Sequence, residues 1–130
     1  MLILMLAATL AAADDLWPVP KAEAEQKNPV EATSKVLKRA RSTYTDNCAF
    51  CHGDKGNGKG DGADRLAVPP ADFTNGLAML QATDGELFFR LSTGRSPMPP
   101  FRSKFSEEQR WGLVHLIRSF AKKPPGKPRK

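Results

Sequence analysis

Only two cysteines and two histidines occur among the 130 residues of this chain. That scarcity limits metal chemistry. A zinc site built on Cys48, Cys51 and His52 would have to recruit His115 or a carboxylate as its remaining ligand. Aromatic residues are also modest, with seven Phe, two Trp and one Tyr, a thin core for a domain with glycine-rich and proline-rich loops. No series of strands is evident, so a βαβ unit and the dinucleotide fingerprint that depends on one are not expected. No apolar run reaches the ~20 residues that cross a bilayer. The basic residues are not interleaved with aromatics and match no recognition motif, which argues against nucleic acid as a partner. There are no internal repeats, and the length fits one domain plus tails.

The chemistry that is present is concentrated in Cys48-Ala49-Phe50-Cys51-His52. Two thiols three positions apart, followed directly by a histidine, form the attachment pattern for a c-type haem. Each thiol can add across one vinyl group of the porphyrin, and the histidine is then held under the iron as an axial ligand. The same residues admit other readings. Cys48 and Cys51 could form a redox disulfide, although that motif normally sits near a βαβ unit. They could bind zinc with His52 and one further ligand. A covalent haem would also supply apolar surface for the thin core.

Residues 1–13 (MLILMLAATLAAA) carry no charge and end in three alanines before Asp14-Asp15. They read as an export signal with a small-residue cleavage site, though without the usual basic start. The chain that remains begins near Asp14, has no membrane span and is expected in the periplasm, where haem c is attached outside the cytoplasm. The net charge is +6. It aids solubility, and it can steer the protein toward an acidic docking surface on a redox partner. The tail, residues 122–130, is basic and proline-rich, with Lys122, Lys123, Lys127, Arg129 and Lys130, and reads as disordered.

Residues 14–32 read as an extended lead-in with three prolines. Thr33 is expected to cap a helix from Ser34 to Asn47, with Val36, Leu37, Ala40 and Tyr44 on one face. Gly53 to Gly62 is a glycine-rich loop. It fits no phosphate cradle or calcium loop, and is expected to wrap closely around the edge of a flat ligand. Residues 67–76 read as extended. Thr83 and Glu86 form a capping box for a second helix that buries Leu87, Phe88 and Leu91 and stops at Gly94. Three prolines keep residues 94–101 from being helical. Ser106 and Gln109 form another capping box, opening a third helix that runs through Phe120.

These pieces, in this order, resemble the small bacterial mono-haem class I c-type cytochromes. The resemblance covers about Thr33 to Phe120. It rests on a helix ending in Cys48-x-x-Cys51-His52-Gly53, a glycine-rich then proline-rich loop, a short helix before Gly94-x-x-Pro97-Met98-Pro99, and the helix from Trp111 to Ser119. It implies an all-α, cytochrome c-like fold, residues 33–121, with three main helices around one covalently bound haem. The implied function is electron transfer rather than catalysis, with Met98 as second axial ligand to His52. Met98 stands between two prolines, a stiff place that suits presentation of a sulfur better than space-filling. Met79 is the rival. His115, one helical turn from Trp111, stands where the family usually has Tyr, and Ala40 where it more often has Gly. The carbonyl of Pro69 or Pro70 is expected to accept the proton on the other nitrogen of His52. Arg95 and Arg102 are candidates to pair with a haem propionate. Two other functions stay open: a haem enzyme or gas sensor with a displaceable Met98, and a zinc or disulfide domain that moves no electrons.

Overall fold

A computed structural model describes residues 17–123. The expected export signal (1–13) and most of the basic tail lie outside the described residues. Six helices follow in order: α1 (Lys21–Ala24), α2 (Ser34–Asn47), α3 (Ala49–His52), α4 (Gly76–Gln81), α5 (Asp84–Thr93) and α6 (Glu107–Ser119), with a 3-10 turn at Ala63–Arg65 between α3 and α4. Among the described residues the fold is all-α. The single extended pairing is an isolated bridge between Arg95 and Met98. No described helix is long and apolar enough to cross a membrane.

The three long helices begin where side-chain caps are available. Thr33 accepts the amide of Val36 and opens α2. Thr83 with Glu86, and Ser106 with Gln109, form complete capping boxes for α5 and α6. Each cap satisfies amides that the first helical turn leaves without partners.

The core lies where α2, α5 and α6 meet. It contains Ala40 and Tyr44 from α2, Leu87, Phe88 and Leu91 from α5, and Trp111, Leu113, Val114, Leu116 and Ile117 from α6. Phe88 and Trp111 stack with ring centroids 3.9 Å apart. At the α2–α6 crossing the small residue is Gly112, whose added Cβ would stand 3.3 Å from Val36 Cγ1.

Two short helices depart from the sequence expectation. Part of the lead-in expected as extended is α1, and it lies against α5. The residues before α5 form α4, capped by Asn75. Arg118 holds this region to α6. Its Nε pairs with Asp84 at 2.7 Å, and its terminal nitrogens donate to the carbonyls of Met79 and Ala82. A charged donor thus satisfies carbonyls that the end of α4 leaves open.

Candidate functional site

The chain enters the site at the junction of α2 and α3. The Cys48 amide donates to the Tyr44 carbonyl at 2.8 Å, and the His52 amide donates to the Cys48 carbonyl at 2.9 Å. One further helical turn therefore presents Cys48, Cys51 and His52 together. Both cysteines are free thiols, so the redox-disulfide reading has no bond behind it here. The chain then reverses at Gly53, with φ +85°. The buried Tyr44 hydroxyl donates to the Gly53 carbonyl at 2.7 Å.

The glycine-rich loop wraps this turn rather than the edge of a ligand. Gly58, Gly60 and Gly62 donate their amides to the carbonyls of His52, Cys51 and Phe50, at 2.8, 3.1 and 2.9 Å. A Cβ on Gly60 would stand 2.2 Å from the Phe50 carbonyl oxygen. Glycine is required because backbone meets backbone. No residue between 53 and 65 lines the cavity described next. The expectation is corrected accordingly.

A second segment, residues 94–101, faces the same space. Gly94 has φ +59°, and a Cβ there would stand 2.5 Å from the Pro100 nitrogen. Arg95 and Met98 exchange backbone hydrogen bonds at 3.0 and 2.8 Å, and the intervening Ser96–Pro97 peptide is cis. The Phe101 amide donates to the Leu91 carbonyl, which fastens the segment to α5. The tight turn sets Met98, half-buried, in the cavity wall.

That cavity holds about 330 Å³. Cys48, Cys51, His52 and Met98 all line it, although they come from two segments far apart in the chain. Its remaining walls are largely apolar, with Leu66, Phe73, Met79, Leu87, Leu91 and Ile117 among them. Arg90 and Arg95 also line it, together with Trp17 from the lead-in. A separate cleft of about 360 Å³ between α2 and the start of α6 contains none of the candidate site residues.

His52 is fixed in one tautomer. Its Nδ1 lies 3.2 Å from the Ala71 carbonyl, which can only accept, so the proton sits on Nδ1 and Nε2 keeps its lone pair. Phe73 stacks on the ring at 4.6 Å between centroids. Burial lowers the His52 pKa, opposed in part by the Ala71 bond, and so favours the neutral, ligating form. The accepting carbonyl belongs to Ala71, not to Pro69 or Pro70 as expected. Both prolines line the cavity and shape the extended run that delivers Ala71. Burial, with Cys51 adjacent, pushes the Cys48 thiol up to about 11.

The other candidates separate cleanly. Met79 is buried on α4 and lines the cavity. Both arginines, Arg95 and Arg102, are exposed, but only Arg95 lines the cavity; Arg102 does not. His115 bonds the Val30 carbonyl through Nε2 and is absent from the cavity wall. That removes it as an iron ligand and as the further ligand of a zinc site. Among the described residues, no group of three or more His, Cys, Asp or Glu is arranged to hold a metal ion.

Trp17, Arg90, Phe73 and Ala71 escaped the sequence reading. Arg90 carried a signal, as a cation one turn before the Gly94 stop. The Ala71 carbonyl carried none.

The residues present fit a haem c. Two thiols and a neutral imidazole share one helical turn, a thioether lines the same cavity, and the walls are apolar, with cationic side chains among them.

The family described as "Cytochrome C oxidase, cbb3-type, subunit III" matches residues 35–117. No curated protein matches the sequence. Among solved structures, a chain of the Kuenenia stuttgartiensis reducing HAO-like protein complex is 27% identical, with a TM-score of 0.63. That similarity covers 72% of this chain but only 47% of the other, so this protein spans about half of its length. The KustC0563 c-type cytochrome is 26% identical over 64% of this chain and 98% of its own, with a TM-score of 0.57. This chain belongs to the cbb3-type cytochrome c oxidase subunit III family, a cytochrome c domain whose chemistry is haem-based electron transfer.

Proposed function

We propose that this protein is an exported, periplasmic carrier of single electrons. It holds one haem through thioether bonds to Cys48 and Cys51, with His52 and Met98 as axial ligands. The observation that carries this reading is the presence of all four side chains in the wall of one apolar cavity. When bound, the haem supplies one-electron exchange between Fe(III) and Fe(II). Cys48 and Cys51 would hold the haem by adding their S–H groups across its vinyl C=C bonds. The sulfur bonds one carbon and the hydrogen goes to the other, so no oxidant is needed. His52 offers Nε2 to the iron while Ala71 holds the ring in orientation through Nδ1. Met98 offers a soft, neutral sulfur, which favours Fe(II) and raises the potential.

Were His52 and Met98 both to bind the iron, no position on it would be left open for substrate chemistry. The protein then serves as a relay between a donor and an acceptor. Its net charge of +6 favours partners with acidic docking surfaces. The Kuenenia neighbour belongs to a redox complex, and a place beside a larger oxidoreductase is in keeping with that likeness.

The test is spectroscopic. The holoprotein should gain the mass of one haem, and that mass should survive denaturation. The oxidised protein should show the weak near-infrared band of sulfur-to-iron charge transfer. Met98→Ala should abolish the band and let the reduced protein bind carbon monoxide. If Met79→Ala has that effect and Met98→Ala does not, the ligand assignment is wrong.

A further inference from the structure

We infer that residues 17–30, which precede the region matched by the family, complete the cofactor cavity, and that Trp17 is a positioning residue for the haem, seated there by a strap fastened to α5 and α6. The inference rests on the reading of the cavity as a haem site.

The strap is fastened at several points. The Thr83 hydroxyl donates to the Ala24 carbonyl at 2.6 Å while accepting the Glu86 amide. One side chain thus caps α5 and ties down α1. Asn28 Nδ2 donates to the Trp111 carbonyl at 3.0 Å, and His115 bonds the Val30 carbonyl. Gly85 is buried in the first turn of α5, and a Cβ there would stand 2.1 Å from the Glu23 carbonyl oxygen and 2.7 Å from that of Ala24. Glycine is, after proline, the least favourable residue within a helix. Close approach of the strap accounts for its use here.

Apart from Val30, which packs against the core, the strap adds little to it. α1 has no buried residue. Its upstream end, however, is Trp17, half-buried in the cavity wall. The Arg95 guanidinium lies over the Trp17 ring, 4.8 Å from its centroid, and Arg90 donates to the Trp17 carbonyl at 3.2 Å. Both arginines line the cavity. Both arginines meet Trp17, so the two cations lie near one another; burial, and after it the Arg95 charge, disfavours ionisation of Arg90. Trp17 therefore contributes apolar wall where the cations are, and keeps Arg95 in place through a cation–π contact.

Both effects act on the iron in the same direction. Excluding water and keeping positive charge nearby penalise the more highly charged Fe(III) state. A seated strap raises the reduction potential, and a lifted strap lowers it.

The experiment uses full-length holoprotein in four forms: wild type, Trp17→Phe, Trp17→Ala and Gly85→Ala. Midpoint potential, tryptophan emission and the near-infrared sulfur band are read on each. Trp17→Ala and Gly85→Ala should lower the potential with the sulfur band retained. Trp17→Phe keeps a ring over Arg95 and should stay near wild type. Haem quenches nearby indole emission by energy transfer, so Gly85→Ala should increase emission several-fold as Trp17 leaves the cavity. Wild-type potentials in both Trp17→Ala and Gly85→Ala overturn the inference, even if Gly85→Ala has shifted the strap. Trp17→Ala alters no core residue, so a poorly folding Gly85→Ala protein still leaves a decisive measurement. A wild-type protein without covalent haem would instead overturn the parent reading.

Discussion

Replacing Tyr44 with Phe removes one oxygen from a buried position beside the turn that carries Cys48, Cys51 and His52. Tyr44 is 1% exposed, and its hydroxyl donates to the Gly53 carbonyl at 2.7 Å. That carbonyl also accepts the Gly56 amide at 3.0 Å, so it keeps a partner in the variant. The loss should therefore be that of one net hydrogen bond, about 1 kcal/mol, and not the larger penalty of an orphaned buried acceptor. For a domain near 100 residues this is about 4–8 °C in melting temperature. The pH dependence sharpens the test. Burial, the main cause, raises the Tyr44 pKa above its usual value of about 10. A phenol whose pKa is raised on folding contributes stability that is intact below the unfolded pKa. That contribution falls by about 1.4 kcal/mol per pH unit from pH ~10 toward the folded pKa. Phenylalanine has no such loss. Urea unfolding followed by circular dichroism should give a variant less stable by about 1 kcal/mol at pH 7 and equal to wild type near pH ~11. A deficit that stays constant across that range would refute the titration argument. No deficit at pH 7 would show that the hydroxyl bond contributes nothing.

Two further predictions concern backbone proximity and thiol reactivity. Gly60→Ala should destabilise by ~1–3 kcal/mol, because its Cβ would meet the backbone oxygens of Phe50 and Ala49 at 2.2 and 2.5 Å. Gly112→Ala should cost much less, since Val36 Cγ1 at 3.3 Å is a side chain that can give way; urea titration of the pair checks both. In haem-free protein at pH 8, Cys48 should alkylate far more slowly when folded than in urea, because burial raises its thiol pKa to about 11. Equal rates would contradict that burial effect.

The features legible in the sequence were those written in side chains at short spacing. Thr33, the Thr83–Glu86 box and the Ser106–Gln109 box each announce a helix start within four residues, and the helices begin there. The Cys48-Cys51-His52 spacing and the proline-flanked Met98 pointed to residues that share a cavity. The features that were not legible depend on distant partners. α1 is four residues long, too short to hold as an isolated helix, and it lies on α5 through Thr83 and Gly85. The carbonyl that holds His52 belongs to Ala71, and a backbone oxygen has no residue type to betray it. The glycine loop was read as cover for a ligand because glycine permits any close approach. Only the fold reveals that the surface approached is α3. Trp17 was hidden for the same reason, since its neighbours Arg90 and Arg95 lie more than seventy positions away.

The half-buried Cys48 thiol also bears on the order in which this protein is put together. With a pKa of about 11, only about one molecule in ten thousand carries the reactive thiolate at pH 7. If the thiol is to add to a haem vinyl group, the folded interior suppresses the nucleophile that addition needs. On the proposed haem reading, a chain that folded before attachment would offer Cys48 as a weaker nucleophile than the open chain does. Capture of a porphyrin by an open chain, before α2 and α3 form, would avoid that loss.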